Sequence, residues 1–367
     1  MSRRVLCFYH RAETFGGSFN SVFDVLGRVD RRQFQPIVAL PGPGNCQKQI
    51  EQLNLPVVFE REVAGSRTPR YAWSVAAAAW YLRRHAVALV YITDYVTWRS
   101  SALLAARIAR VPSVVHVRAP LGSGVVDAEL VKASVVVGNS EATIRSLRVR
   151  RRRPVRVIHN FIDAAPFAAA SDIRSAFFPD RPPVIGFVGV FRPEKGIEYF
   201  LEMARLVGLV RPDVRFLAVG GESAVQDVGW FEKMRALARE LGLDDRVHFT
   251  GQRTDVPDLM RSIDVLVVPS LNEGFGRVIV EANAAGVPAV GVDAAGIPEV
   301  IHDGITGALV PPRDAAAMAS AVLRLLDDAD LRDRMKHTLP EFVRQNFSPE
   351  AKIAQLEAAW RDALSGA

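Results

Sequence analysis

The chain has 367 residues, 49% hydrophobic and 23% charged; this excludes extensive disorder and exceeds what one hydrophobic core usually supports. Its 46 Lys and Arg against 40 Asp and Glu give a formal charge of +6, which favours an anionic partner without naming one. Two cysteines, Cys7 and Cys46, suggest neither a disulfide framework nor a zinc site, and no run approaches the roughly 18 apolar residues of a membrane span.

In chain order, strand-like apolar runs alternate with helix-like ones. The amino terminus opens directly onto the strand Val5–Tyr9 without a cleavable signal pattern, so a cytoplasmic protein is expected. Gly16-Gly17-Ser18 precedes the helical run from Phe19 to Leu26, where backbone amides at Gly16 and Gly17 suit a diphosphate or an acceptor. Further strands are expected near Pro36–Leu40, Val57–Phe59, Leu89–Ile92, Val114–Val117, Val135–Val137 and Val155–Ile158. Asp94 ends the strand at Leu89–Ile92 and is an acceptor-side candidate. A stretch rich in Ala and Pro, Asp163 to Pro183, reads as a linker. Beyond it, strands are expected near Val184–Val188, Val214–Val219, Val247–Thr250, Val265–Val268, Ala289–Val292 and Ala308–Val310. Such alternation predicts an α/β protein of two Rossmann-like lobes with mainly parallel sheets, whose carboxyl edges face a cleft. The lobes are placed at residues 1–165 and 166–347. Ser348-Pro349-Glu350 opens a final helix, residues 348–367, with Ser348 as cap and Pro349 at the first helical position.

The second half carries the chemistry. Glu273 and Glu281 lie in Leu271-Asn272-Glu273-Gly274-Phe275-Gly276-Arg277-Val278-Ile279-Val280-Glu281, after a buried strand and across a helix start. Free amides from Gly276 through Arg277 to Val278 suit an anion. Glu281, a little over one turn into the helix, is placed to accept from ribose hydroxyls, and Glu273, ahead of it, from a sugar. Lys195, in Pro193-Glu194-Lys195-Gly196 after another strand, is placed to neutralise phosphate charge in the role a metal would otherwise take. Taken singly, each of these residues reads as an ordinary surface charge; their shared context changes that.

That context resembles the carboxyl-terminal half of glycosyltransferase family 4, retaining enzymes of the GT-B fold, over roughly 130 residues. The matching stretches include Ile185-Gly186-Phe187-Val188-Gly189, Pro193-Glu194-Lys195-Gly196, Phe216-Leu217-Ala218-Val219-Gly220-Gly221, Phe249-Thr250-Gly251, the glutamate pair, Gly286-Val287-Pro288, Ala295-Gly296-Ile297-Pro298-Glu299 and Asp303-Gly304-Ile305-Thr306-Gly307. The resemblance implies a nucleoside-diphosphate sugar, UDP- or GDP-linked, as co-substrate, no metal, and transfer to a glycan, lipid-linked or small-molecule hydroxyl. It implies that His116, near the end of a strand, sits beside the transferred sugar and also on the acceptor side, and that the loop at Arg253 contacts the base. Glu299 matches a family feature and equally suits capping or pairing within the fold. The final helix is expected to cross back onto the first lobe, as is common in the fold.

Two departures stand out. The family's arginine after the glycine at Gly189 is Val190 here, with Arg192 two positions on as a substitute, and Phe161 replaces the glycine expected after Asn160. Asn139 and Asn160 are read as architectural. Asp328-Ala329-Asp330 resembles the metal-binding Asp-x-Asp of the other glycosyltransferase fold but lies between helices, where a helix-end role is expected. Arg148, Arg150, Arg151, Arg152 and Arg153, with Arg61, Arg67 and Arg70 near Tyr71-Ala72-Trp73, point to peripheral attachment at an anionic membrane surface on its inner face; no nucleic-acid module accompanies them.

Two other readings frame the transferase. A catalytically weak GT-B-like protein could bind nucleotide sugar as an assembly partner, which Val190 alone favours. A nicotinamide oxidoreductase is disfavoured because Gly274-Phe275-Gly276 is followed by Ile279 where glycine or alanine is required.

Overall fold

The computed structural model describes residues 4–9, 17–40, 42–59, 68–93, 100–120, 130–147, 154–222 and 228–366. They form two compact units, the first comprising Met1–Phe161 together with Pro349–Ala367, the second Ile162–Ser348.

In unit 1 the chain runs β1 (Arg4–Tyr9), α1 (Gly17–Arg28), β2 (Phe34–Leu40), α2 (Asn45–Gln52), β3 (Val57–Phe59), α3 (Pro69–Arg84), β4 (Val87–Ile92), α4 (Ser101–Ala109), β5 (Ser113–Val117), β6 (Val135–Gly138), α5 (Glu141–Arg145) and β7 (Val155–Val157). The strands form one sheet, order β3-β2-β1-β4-β5-β6-β7, and every pairing is parallel. β5 and β6 are buried along their whole length, which is why they read as unbroken apolar runs rather than alternating ones.

Unit 2 contains α6 (Ala165–Ala168), β8 (Val184–Val188), α7 (Ile197–Val210), β9 (Arg215–Val219), α8 (Trp230–Glu240), β10 (Val247–Gly251), α9 (Val256–Arg261), β11 (Val265–Val268), α10 (Arg277–Ala284), β12 (Ala289–Val292), β13 (Gly307–Val310), α11 (Ala315–Asp327) and α12 (Ala329–Asn346). Its sheet has the order β10-β9-β8-β11-β12-β13, again parallel throughout. In both sheets the order reverses once, between β1 and β4 and between β8 and β11, and a crevice opens beyond the strand ends at such a point.

The stretch expected as a linker is instead part of unit 2. Phe167 is in its core, Ser171 and Ile173 donate backbone N–H bonds to Asp258 and to Ser262 Oγ, and Arg174 pairs with Asp264 at 2.9 Å. Asp264 also accepts from the Val184 amide, so one carboxylate ties the start of β8 to this segment, a long-range tie invisible in local composition.

The last helix, α13 (Pro349–Ser365), packs on the unit 1 sheet. Trp360 is fully buried and meets Phe8, Phe34 and Tyr91 edge-on at 5.7, 5.3 and 5.3 Å. Glu357 accepts from the Asp30 amide, and Arg156 pairs with Asp362. Asp328 accepts from the Leu331 amide and caps α12, a helix-end role. Among the described residues no helix is long and apolar enough to cross a membrane.

Candidate functional site

The charged residues of the second half come together where the unit 2 sheet reverses. β8 leads through Arg192 into a 3-10 turn, Pro193–Lys195, closed by Gly196 at φ 68°. A Cβ on Gly196 would lie 2.5 Å from the carbonyl oxygen of Pro269, so this turn and the loop after β11 touch backbone to backbone. The Leu271 amide donates to the Glu194 carbonyl at 3.0 Å, which fastens the two loops further. Across this contact Lys195 Nζ donates to Glu273 Oε2 at 2.5 Å, linking residues 78 positions apart. Both side chains keep partial exposure, 28% and 19%, so the pair is held by its loops yet open to a ligand.

Glu273 is anchored a second time. Its carbonyl accepts from the Gly296 amide at 2.8 Å, and a Cβ on Gly296 would lie 2.2 Å from the Gly274 oxygen. The loops after β8, β11 and β12 thus brace one another, and the carboxylate sits on a rigid support.

α10 begins at Arg277 with Gly276 as its N-cap at φ 84°, and no side chain caps it. Its first-turn amides therefore point outward from the strand edge, beside Glu273, with the positive end of the helix dipole behind them. Arg277 Nε donates to Glu281 Oε1 at 2.7 Å, one turn on, and both side chains are largely buried. Phe275 is a core residue that meets Phe347 edge-on at 5.6 Å, so only its backbone faces the site, and Val278 packs against the same core. Gly274 contributes backbone alone.

Arg192 pairs with Glu194 at 3.5 Å, within its own turn, while Val190 is half-buried. Arg253, beyond the edge strand β10, pairs with Asp255 at 2.6 Å and lies over the Phe177 ring. Glu299 occupies the short turn Ile297–Glu299. Gly17 is the first residue of α1, whereas Gly16, Asp94, Arg61, Arg67, Arg148 and Arg150 to Arg153 lie outside the described residues.

His116 lies in β5 and is buried. Its Nδ1 is 2.6 Å from the hydroxyl of Tyr91 on β4, and its Nε2 is buried without a hydrogen-bond partner among the described residues. Burial, and then the nearby Arg118 guanidinium, hold the imidazole well below its usual pKa, so the ring is neutral. Burial pushes Tyr91 up to about 12, so it stays a hydroxyl.

Arg118 is the residue that sequence reasoning passed over. Its Nε donates to the Thr93 carbonyl and its NH1 to Asn160 Oδ1, both at 2.9 Å, while Asn139 donates to its carbonyl. One guanidinium thus ties the ends of β4 and β5 to the Asn160 segment beside His116. The available signal was its i+2 spacing from His116, one residue beyond the end of β5.

The comparisons extend the geometry. A family model described as "Glycosyltransferase Family 4" matches residues 15–165, and one described as "Glycosyl transferases group 1" matches residues 169–341. The alpha-D-kanosaminyltransferase of Streptomyces kanamyceticus is 31% identical over 241 residues, 63% of this chain and 61% of that one. A D-inositol 3-phosphate glycosyltransferase of Mycolicibacterium smegmatis is 33% identical over 264 residues, 70% of this chain and 58% of that one. The matched region spans about half to three fifths of these curated relatives' length. Among solved structures, Anabaena HepE in complex with UDP and glucose superposes with a TM-score of 0.83 at 23% identity, covering 98% of this chain and 100% of that one. A Rickettsia africae glycosyltransferase reaches 0.86 at 17% identity, with both chains fully covered. With two matching family models, two parallel sheets of GT-B order and a Lys–Glu pair at the reversal of the second, this chain belongs to the group 1, family 4 glycosyltransferases of the GT-B fold.

Proposed function

We propose that the protein transfers a sugar from a nucleoside-diphosphate sugar to a hydroxyl acceptor with retention at the anomeric carbon and without a metal. The observation that carries this reading is the Lys195–Glu273 pair at 2.5 Å, beside the uncapped start of α10 at the β8/β11 reversal. A cation and a row of amides stand where a diphosphate needs neutralising, with a carboxylate one residue pair away for sugar hydroxyls.

In this reading the bond from the anomeric carbon to the diphosphate oxygen breaks. A bond to the acceptor oxygen forms on the same face, and the acceptor proton passes to the departing phosphate oxygen. Lys195, with Arg192, and the amides of Gly276, Arg277 and Val278 stabilise the charge that develops on the diphosphate. Glu281, steered by Arg277, accepts from ribose hydroxyls, Glu273 accepts from the donor sugar, and the Arg253 loop meets the base. Gly16 and Gly17 contribute amides, and Asp94 and His116 serve the sugar and acceptor. The neutral imidazole of His116 fits hydroxyl recognition better than proton abstraction, because burial disfavours its charged form.

Support for a uridine nucleotide comes from the HepE structures, which hold UDP, UDP with glucose, or UDP-glucose. One relative is named for the kanosaminyl group it transfers and others for D-inositol 3-phosphate, and the acceptor proposed here is a hydroxyl-bearing glycan, lipid-linked or small molecule.

The test is thermal stabilisation against a panel of UDP- and GDP-sugars, followed by turnover of the stabilising donor in excess EDTA. Donor at 100 times Kd raises stability by about 2.7 kcal/mol. No shift with any nucleotide sinks the reading. A shift without transfer or donor hydrolysis replaces it with the binding-only alternative, and loss of turnover in EDTA removes the metal-independent step.

A further inference from the structure

The helix pair α3 and α4 carries a surface that neither the sheet nor the donor site uses. On α3 the residues Val75, Ala78, Ala79 and Leu82 are buried against unit 1. Trp73 and Trp80 lie on the opposite face, one heptad apart, with 74% and 65% of their surface exposed. At 1.5 Å per residue they are spaced roughly 10 Å along the helix. Ala76, also exposed, and Ala77 lie between them, so the stripe is apolar without interruption. At its carboxyl end Arg83 donates to the Ile108 carbonyl of α4 at 2.5 Å, which brings the 47% exposed Ile108 beside the stripe.

The rim of this stripe is cationic. Arg70, Arg83 and Arg84 on α3 and Arg107 and Arg110 at the end of α4 are all exposed. No Asp or Glu occurs among residues 68–93 or 100–120, and the exposed His85 is stacked on Tyr81. Two exposed tryptophans on a soluble helix face expose an apolar area that water penalises, and the arginines around them have no acidic counterpart on either helix.

We propose that this α3–α4 face is a docking surface for an anionic phospholipid bilayer, with Trp73, Trp80 and Ile108 entering the headgroup boundary and the arginines meeting lipid phosphates. Tryptophan favours that boundary because its ring is apolar and its N–H polar, and each nearby basic side chain adds attraction to an anionic leaflet. A second copy of the chain fits less well, since an isologous contact would set this arginine rim against itself. A single-stranded nucleic acid also fits less well, since the convex helix offers no groove to track a phosphate backbone. The proposal names a partner consistent with a lipid-linked acceptor but stands on the surface alone, so its outcome is separate from donor turnover.

The experiment is co-sedimentation of the full chain with phosphatidylcholine vesicles, with and without phosphatidylglycerol, alongside a Trp73→Ala/Trp80→Ala variant and an Arg83→Gln/Arg84→Gln variant. Binding is expected only with phosphatidylglycerol and is expected to weaken in high salt. The arginine variant should lose roughly fivefold per charge at low salt, and the tryptophan variant at least tenfold. Tryptophan emission should shift to the blue on binding, and the shift should disappear in the double tryptophan variant. Both variants alter exposed side chains, so far-UV spectra and nucleotide-induced stabilisation should match wild type. Vesicle binding that is equal in wild type and the tryptophan variant overturns the proposal. So does a tryptophan-dependent dimer formed without lipid, or displacement of vesicles by a single-stranded oligonucleotide.

Discussion

The carboxyl edges of the two sheets share a strand order and differ in chemistry. In unit 2 the edge carries charge: Lys195 with Glu273, partly open to solvent, and Arg277 with Glu281, largely buried. In unit 1 the edge at β4 and β5 carries neutral groups, the imidazole of His116 and the hydroxyl of Tyr91, both buried. Among the described residues Arg118 is the cation beside them; it donates to the Thr93 carbonyl and to Asn160 and acts on His116 through its field. A common topology therefore sets the order of the strand ends, while the side chains that end each strand decide whether the edge offers charge or neutral hydrogen-bonding groups.

The sharpest way to break this comparison is at the foundation of unit 1. Its sheet needs a helix from the far end of the chain, and Trp360 fills the space between Phe8, Phe34 and Tyr91. Trp360→Ala should cost about 3–5 kcal/mol by cavity formation. In a chemical denaturation followed by probes in each unit, the loss is expected in unit 1, with unit 2 keeping its own transition. An equal loss in both would show that the units do not fold separately.

Next in size is the charged edge. Lys195→Ala removes the cation and leaves Glu273 half-buried without it, and turnover should fall by roughly 10²–10³ if Lys195 carries developing diphosphate charge. Glu273→Gln keeps shape and hydrogen bonding and should lower kcat with a smaller effect on donor affinity. Isothermal titration with UDP alone separates the two: Lys195→Ala should weaken UDP binding and Glu273→Gln should not. Equal UDP affinity in wild type and Lys195→Ala would remove the lysine from the phosphate site.

A smaller effect is expected one helical turn along α10. Arg277→Gln releases Glu281 from the 2.7 Å bond that holds it toward its proposed ribose partner. Loss of a charge-assisted hydrogen bond of this kind costs about 1.5–3 kcal/mol, partly recovered by solvent. Affinity should fall for a nucleoside diphosphate and stay nearly unchanged for the corresponding 2′,3′-dideoxy compound, which lacks the hydroxyls. A matching loss for both would place Glu281 elsewhere.

Much of the fold was legible because parallel strands buried on both faces appear as short unbroken apolar runs, such as Val135–Val137 and Val265–Val268, bounded by turn residues. The donor-side candidates were legible as strand-loop-helix context around Lys195 and Glu273. Their direct pairing was not, because a bond across 78 residues depends on the strand order that sets β8 beside β11. The same reason hid Asp264, whose carboxylate holds Arg174 and the Val184 amide and so makes a supposed linker part of unit 2. Arg118 carries no local signal of its role, because its partners Thr93, Asn139 and Asn160 sit on three other strand ends. Exposure was equally hidden: Trp73 and Trp80 fit a helix pattern in either direction, and only packing shows which face is turned outward.

The smallest effect concerns the neutral edge and is read from pH. Burial and then Arg118 lower the pKa of His116 well below 6.5, whereas in the unfolded chain it returns to about 6.5. Below that value the unfolded state binds a proton that the folded state refuses, so stability is lost as pH falls, at up to about 1.4 kcal/mol per pH unit for one such group. Carboxylates and His248, whose pKa is also lowered by burial, add slopes of their own, so the informative quantity is a difference. His116→Gln can still meet the Tyr91 hydroxyl, and its stability should fall less steeply than wild type between about pH 6.5 and 5. Tyr91→Phe keeps the imidazole but removes its 2.6 Å partner, and it should retain the steep dependence because burial, the larger cause, remains. If His116→Gln and wild type show the same slope, His116 is protonated in the folded protein. The edge of unit 1 would then carry charge as the edge of unit 2 does.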